Sequence, residues 1–137
     1  MNKLDTESKR FITTGLFFVF TGIIIGAFGA HGLKTLGVSE QDAYSFDTGV
    51  RYLFYNGLGM LAIAGIREKL DFLLRFNFWM ICYGTILFSF SIFALVFLPF
   101  LGIQISAILG PITPIGGSLM LIGWLTLFIK ALLLKST

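Results

Sequence analysis

The sequence contains few charged residues and almost none of the residues that bind metals or form disulfides. Asp, Glu, Lys and Arg make up 12% of its 137 residues, about half of the quarter that is typical of soluble globular domains. Hydrophobic residues make up 56%, whereas intrinsic disorder requires low hydrophobicity and high net charge. The composition therefore indicates a small integral membrane protein, and the length allows one domain.

The chain has one cysteine, Cys82, and one histidine, His31. A single cysteine excludes an intrachain disulfide, and zinc or iron–sulfur centres need several such ligands, so we expect no metal and no cofactor. The sequence also has no phosphate-binding loop and no set of Ser, His and Asp placed for nucleophilic catalysis. These absences predict that the protein is not an enzyme.

Four apolar runs are each long enough to cross a hydrocarbon layer of roughly 30 Å at about 1.5 Å per residue. They cover approximately residues 11–30, 49–66, 76–98 and 112–134. In lipid, each backbone polar group must be satisfied within the protein, and the alternating polarity of a membrane barrel is absent. The sequence therefore predicts an all-α integral membrane protein, a bundle of four transmembrane helices.

The basic residues are unevenly distributed between the two sides that four crossings define. The net charge is +3, but the basic residues form no stripe that would follow phosphates, which argues against a nucleic-acid partner. One side holds only Lys34 and Arg51. The other holds eight basic residues: Lys3, Lys9, Arg10, Arg67, Lys69, Arg75, Lys130 and Lys135. The positive-inside rule then predicts a multi-pass protein of the bacterial inner (plasma) membrane, or an equivalent membrane, with both termini in the cytoplasm.

The first apolar run has a second interpretation, a cleaved signal peptide. Lys9 and Arg10 precede it, and small residues follow at 27–29. The run of about 20 residues exceeds the apolar region of about 7–15 residues in a signal peptide. We therefore expect this segment to be retained as a helix.

Two connections have contrasting character. Ser39, followed by Glu40, Gln41 and Asp42, is typical of a capped helix start with acidic residues in its first turn. The second helix is therefore predicted to begin near residue 39, outside the bilayer. The connection at about 99–114 has no charge, and we expect it to lie on the membrane surface or against the bundle.

Four glycines lie on one face of the first predicted helix, within roughly 60° of arc. They are Gly15, Gly22, Gly26 and Gly29. Gly22 and Gly26 form a GxxxG pair, which allows close approach of a second helix. Two interpretations stay open: a face for dimerisation or partner docking, and a face that packs within the chain's own bundle. The second is favoured because the other three helices are the nearest partners.

A candidate ligand or partner cluster lies at the outer ends of the first two helices. It comprises His31, Asp47, Arg51, Tyr52 and Asn56. Asp47 and Arg51 are spaced i, i+4, so their charges meet on one helix face. Two interpretations of Arg51 stay open: an anchor for a lipid phosphate, a quinone headgroup or a partner's carboxylate, and half of an interfacial salt bridge that fixes helix depth.

Glycine and proline cluster on the same outer side, where the fourth helix is predicted to begin. This predicted outer turn contains Gly110, Pro111, Thr113, Pro114, Gly116 and Gly117. Glycine and proline supply the backbone conformations that turns require. No carboxylate lies near the middle of a predicted span, which argues against proton-coupled transport.

The sequence resembles the small membrane proteins of domain-of-unknown-function family 423, to which the eukaryotic transmembrane protein 256 is similar. The resemblance is carried by GAFGAHGL at 26–33, TGVRYLFYNGLGMLA at 48–62, GTILFS at 84–89, LGPITPIGG at 109–117 and IGW at 122–124. It implies a four-helix membrane fold and no particular activity. Two positions depart from the expected pattern, because Asn56 replaces a histidine and Phe90 replaces a glycine.

Two function classes follow from these observations. The first is a non-enzymatic structural or accessory protein that packs against a larger membrane complex or forms a homo-oligomer, with membrane lipids around it. The alternative is a binder or transporter of a small molecule or lipid that uses the outer cluster of His31, Asp47 and Arg51.

Overall fold

Within residues 5–134, the part of the chain that the computed structural model describes, the fold consists of helices and contains no strand. The long helices are α1 (Thr6–Thr35), α2 (Glu40–Ile66), α3 (Arg75–Phe97) and α4 (Ser106–Leu132). Short 3₁₀ turns follow α2 at Arg67–Lys69 and α3 at Leu98–Leu101. The all-α prediction is confirmed. Lys3 and Lys135, which entered the charge count, lie outside the described residues.

The helices run up and down, and each packs mainly against its neighbour in the sequence. α1 contacts α2, α2 contacts α3, and α3 contacts α4. We call the end where α1 begins and α4 ends the terminal end; it also carries the α2–α3 connection. The opposite end, with the α1–α2 and α3–α4 connections, is the distal end.

Three segments are long and apolar enough to cross a membrane: Thr6–Thr35, Arg75–Leu101 and Ser106–Leu132. α2 has 27 residues, which is sufficient length at about 1.5 Å per residue. However, Arg51 and Asn56 interrupt its apolar run, and it is not among the segments of sufficient apolarity. The crossing expected of α2 therefore stays a prediction.

Side-chain caps fix where α1 and α2 begin. Asp5 precedes α1 and accepts hydrogen bonds from the backbone N–H of Ser8 at 2.9 Å and from its hydroxyl at 2.6 Å. These bonds hold the pKa of Asp5 below its ordinary value, because they favour the charged carboxylate. At α2, the Ser39 hydroxyl oxygen accepts a hydrogen bond from the backbone N–H of Asp42.

The prediction of an outer turn at residues 110–117 is wrong. α4 begins at Ser106, so all of these residues lie within the helix. The connection is shorter, and Gly102 turns the chain at φ +73°. Prolines are tolerated in membrane helices where neighbouring groups compensate for the lost backbone bond. Packing on α3 also holds this segment helical: the Thr113 hydroxyl lies 2.7 Å from that of Ser91.

The contact between α3 and α4 depends on two facing glycines. A Cβ at Gly84 would lie 2.8 Å from the carbonyl oxygen of Gly116, and a Cβ at Gly116 would collide with the backbone nitrogen of Phe88. The two backbones therefore approach as closely as small residues allow in membrane helix pairs. Large side chains fill the remaining interior, and those with almost no exposed surface are Phe11, Phe18, Phe46, Leu53, Met60, Leu74 and Ile81.

Candidate functional site

The four predicted glycines of α1 all lie on its contact with α2. A Cβ at Gly15 would lie 2.8 Å from the carbonyl oxygen of Gly57. Further along α1, the remaining glycines face side chains of α2: Gly22 faces Phe54, Gly26 faces Val50, and Gly29 faces Phe46. Inside this chain the glycine face is therefore occupied by α2.

Asp47 and Arg51 form an ion pair on an open face of α2. Arg51 Nε lies 3.0 Å from Asp47 Oδ2, and the two side chains are 41% (Arg51) and 64% (Asp47) exposed. The Arg51 guanidinium lies 5.3 Å from the centre of the Tyr44 ring, and its Nη2 donates to the Thr48 hydroxyl at 3.4 Å. Because the pair is exposed and lies within one helix, solvent screens it and its contribution to stability is small.

The structure does not bring the predicted cluster together as one site. His31 is exposed near the end of α1, and among the described residues it forms no hydrogen bond or ion pair with Asp47 or Arg51. Asn56 is only 3% exposed and faces the interior. The five residues therefore divide between an exposed histidine, an exposed ion pair and a buried polar contact, with Tyr52 beside the last.

Asn56 is the centre of a buried polar contact between α2 and α4. Its Nδ2 donates to the Tyr52 carbonyl oxygen at 2.9 Å and to the Met120 sulfur at 3.1 Å. Trp124 Nε1 donates to Asn56 Oδ1 at 2.7 Å. Sequence reasoning assigned no role to Trp124, because residues 68 positions apart show no pairing in a single sequence.

A second polar cluster, also missed by sequence reasoning, ties α1 to the α2–α3 connection at the terminal end. The Arg67 guanidinium contacts Glu7 Oε2 through Nε at 2.9 Å and Nη2 at 2.8 Å. Glu7 Oε1 accepts from the backbone N–H of Leu74 at 3.1 Å, and Arg67 Nη1 donates to the Leu70 carbonyl at 2.7 Å. Both charged side chains are more than four-fifths buried.

Lys130 ties the end of α4 to the same connection. Its Nζ donates to the Leu73 carbonyl oxygen and to Asn77 Oδ1, each at 2.8 Å. Asn77 Nδ2 in turn donates to the Gly123 carbonyl oxygen at 2.9 Å and to the Thr126 hydroxyl at 2.8 Å. The first and the last described helix are thus both fastened to the segment between α2 and α3.

The buried polar side chains of the described residues are hydrogen-bonded within the chain. They are Ser8, Asn56, Asn77, Thr85, Ser89 and Ser91. Within that range there is also no group of three His, Cys, Asp or Glu residues that could hold a metal ion. Asn56, Asn77, Ser89 and Ser91 join two helices, whereas Ser8 and Thr85 bond within their own helix or its cap.

The remaining members of the predicted outer turn take different positions along α4. Gly116 and Thr113 face α3, as described above, whereas Gly110 and Gly117 border cavities between α2 and α4. Pro111 and Pro114 lie inside the helix, and the Pro114 carbonyl oxygen accepts a hydrogen bond from the Ser118 hydroxyl at 2.8 Å.

Comparison with known proteins gives a consistent set of relatives. The model of a family described as "protein of unknown function (DUF423)" matches residues 25–117. A UPF0382 membrane protein of Staphylococcus epidermidis is 36% identical over 124 residues, which cover 90% of this chain and 96% of the relative. The UPF0382 membrane protein YwdK of Bacillus subtilis is 32% identical over 125 residues, with 90% and 96% covered.

The similarity extends to a eukaryote. The UPF0382 membrane protein C1782.12c of Schizosaccharomyces pombe is 34% identical over 112 residues, which cover 80% of this chain and 92% of the relative. No solved structure matches the chain.

Proposed function

The chain belongs to the DUF423 family of membrane proteins, and from that premise we propose that it is a non-enzymatic accessory component that packs laterally against a larger membrane complex. The resemblance to this family inferred from the sequence is confirmed, as is the assignment to integral membrane proteins. The accessory role goes beyond the family's description and has its own support.

The observation that carries this proposal is the low burial of α1 and α4. Only 22% of the apolar window in each of these helices is buried within the chain, against 50% in the α3 segment. Large apolar side chains cover the outward faces: Leu16, Phe17, Phe20, Ile23 and Ile24 on α1, and Leu121, Leu125, Phe128, Ile129 and Leu132 on α4. Two broad apolar faces are thus available to helices of a partner.

The polar groups support a structural role rather than catalysis. Asn56, Asn77 and Ser89 are each committed to hydrogen bonds with another helix of the bundle. At the terminal end, the Glu7–Arg67 ion pair and the hydrogen bonds of Lys130 hold the α2–α3 connection in place. Acid–base catalysis requires a titratable group that can reach a substrate. The polar groups named above are instead bound to other parts of the same chain.

The orientation belongs to the same proposal. In the described part of the chain, the terminal end carries Lys9, Arg10, Arg67, Lys69, Arg75 and Lys130, whereas the distal end carries Lys34 and Arg51. We assign the terminal end to the cytoplasm by the positive-inside rule. The alternative function, a binder or transporter built around His31, Asp47 and Arg51, has less support, because these residues do not converge.

The test is extraction of the native protein in mild detergent, followed by native-gel sizing and mass spectrometry. We expect migration within a large complex whose other subunits recur in every preparation. Two variants identify the docking face: Phe17 and Phe20 replaced by alanine on α1, and Leu121 and Leu125 replaced by alanine on α4. One of them should release the chain from the complex while the other, its matched control, stays bound. Migration of the wild-type chain alone, or with copies of itself, would overturn the proposal.

A further inference from the structure

A cleft lies between α2 and α4 in the distal half of the bundle, with α3 as its floor. Its inner part is a cavity of about 470 Å³, lined chiefly by Tyr52, Tyr55, Phe88, Gly117, Leu121 and Trp124. Its outer part is a cavity of about 450 Å³, lined chiefly by Gln41, Ser45, Thr48, Ile92, Gly110 and Thr113. Each volume falls in the range of about 300–1,000 Å³ that is usual for ligand sites.

The two cavities follow one another along the same three helices. On α2, Thr48 lines the outer cavity and Tyr52, one helical turn further, lines the inner cavity. On α4, Thr113 and Gly117 are related in the same way. We therefore treat them as one feature, the α2–α4 cleft. From Gln41 to Asn56 it extends about 22 Å at about 1.5 Å per residue. That is close to the depth of one leaflet with its headgroups, about 20–22 Å.

The α2–α4 cleft is widened at two positions where α4 carries glycine, Gly110 and Gly117. A Cβ at Gly110 would meet no atom within 4 Å, and a Cβ at Gly117 would lie in ordinary contact with the Phe88 ring at 3.6 Å. Neither glycine is thus needed for close helix packing, in contrast to Gly116. These two positions instead leave room for an occupant.

The polarity of the α2–α4 cleft changes along its length. The inner part is aromatic: the Tyr52 ring lies 4.6 Å from that of Phe88 and 5.8 Å from that of Tyr55. At its base, the amide of Asn56 is already bonded to Trp124 and Met120, so it requires no polar ligand. The outer part offers the hydroxyls of Ser45 and Thr48, an amide at Gln41 and a carboxylate at Asp42.

The outer part is suited to a headgroup that donates hydrogen bonds. The hydroxyl protons of Ser45 and Thr48 are used on the carbonyls of Gln41 and Tyr44, which leaves their oxygens as acceptors. Among the described lining residues there is no Lys, Arg or His, and the carboxylate of Asp42 disfavours an anion. Arg51 is not among the lining residues but lies beside them: it is paired with Asp47, and its Nη2 donates to the Thr48 hydroxyl at 3.4 Å. The Thr48 oxygen therefore keeps one free acceptor position.

We propose that the α2–α4 cleft binds one neutral acyl lipid with a hydroxyl-bearing glycerol headgroup, taken from the leaflet at the distal end. The acyl chain lies along the aromatic inner part, and the hydroxyls donate to Ser45, Thr48 and Asp42. Hydrocarbon already surrounds such a chain in the bilayer, so its transfer gains no hydrophobic energy. Selectivity therefore comes from the headgroup hydrogen bonds and from contact with the preformed aromatic walls.

The position of Trp124 in the lining makes the proposal testable by fluorescence quenching. The full chain with Trp79→Phe retains Trp124 as its only tryptophan and is reconstituted into phosphatidylcholine vesicles. A monoacylglycerol with a dibrominated chain is then titrated in, because bromine quenches indole emission on contact. We expect saturable quenching that unbrominated monooleoylglycerol reverses and that unbrominated phosphatidylglycerol does not.

A pair of glycine variants distinguishes quenching by lipid bound in the α2–α4 cleft from quenching by the bulk lipid around the bundle. Gly117→Leu fills the inner part, whereas Gly65→Leu adds the same side chain to α2 at another open position, where a Cβ would meet no atom within 4 Å. Saturable quenching should disappear in the first variant and persist in the second, with both showing wild-type helicity by circular dichroism.

Three outcomes would overturn the proposal. Quenching that rises linearly with the brominated lipid, without competition, would indicate bulk lipid only. Stronger competition by phosphatidylglycerol would show that the site prefers an anion. Equal quenching in the two glycine variants would place the contact outside the cleft. The competition measurement with unbrominated lipids uses the protein without a change in the cleft. It therefore tests the proposal even if Gly117→Leu does not fold. Failure of the accessory proposal would appear in the native gel and leave these measurements unaffected.

Discussion

At the scale of single residues, Asn56 shows how a polar group joins two membrane helices. Replacement by leucine leaves Trp124 Nε1 without its acceptor and removes the donor to Met120. Hydrogen bonds between membrane helices contribute about 0.6 kcal/mol on average and up to about 1.7 kcal/mol. We expect Asn56→Leu to destabilise the protein by about 1–2 kcal/mol and to change Trp124 emission.

Thermal unfolding in detergent measures this effect, and Thr85→Val is its control. The Thr85 hydroxyl is also buried but bonds only to the Ile81 carbonyl in its own helix. Its loss should therefore cost less than the loss of the interhelical contact. An Asn56→Leu protein as stable as the wild type would contradict the assignment.

Two ion pairs allow a matched comparison of buried and exposed charge. Glu7→Gln removes the charged partner of Arg67, whose side chain is only 19% exposed. Asp47→Asn removes the charged partner of Arg51, whose side chain is 41% exposed. We expect the first substitution to destabilise by about 1–3 kcal/mol, since it leaves a mostly buried charge with weaker partners. The second should cost clearly less, because solvent screens the exposed pair. Equal losses in urea or heat denaturation would refute the distinction.

At the scale of helices, the neighbours Gly116 and Gly117 should respond to alanine in opposite ways. A methyl group at Gly116 collides with the backbone of α3, whereas one at Gly117 makes ordinary contact with Phe88. We expect Gly116→Ala to destabilise by about 1–3 kcal/mol. Gly117→Ala should be neutral or stabilising by up to about 1 kcal/mol, because alanine favours the helix. Thermal denaturation of both variants tests the packing of α3 on α4.

The helices and their contacts show which features of the fold the sequence can predict and which it cannot. Local patterns are readable: Ser39 and the acidic residues after it cap α2, and each apolar run lies mainly in a helix, three of them apolar enough to span a membrane. Pro111 and Pro114 misled the prediction of α4, because local turn propensity was outweighed by contacts with α3. The bonds from Trp124 to Asn56 and from Arg67 to Glu7 join residues at least 60 positions apart, and no local rule pairs them.

At the scale of the whole molecule, the proposed topology predicts which connections face the outside of the cell. Single cysteines at Glu40, Asp71 and Gln104, in a Cys82→Ala background, probe the three connections. A membrane-impermeant maleimide should label positions 40 and 104 on intact cells, and position 71 only after permeabilisation. The reverse pattern would invert the orientation. Labelling of 40 and 71 from the same side would show that α2 does not cross.

In the proposed topology, the two hairpins of the molecule differ in the charges that must pass through the membrane during biosynthesis. The segment that joins α3 to α4, residues 98–105, has no ionised side chain, whereas the turn from α1 into α2 is flanked by Lys34, Glu40 and Asp42. Insertion measurements assign about 2.5–3.5 kcal/mol to each charge at the centre of a bilayer. If the termini are cytoplasmic and α2 crosses, as proposed, export of the first hairpin is an energy-requiring step for the insertion machinery. The second hairpin can enter the bilayer as a pre-paired unit without moving a charge across it.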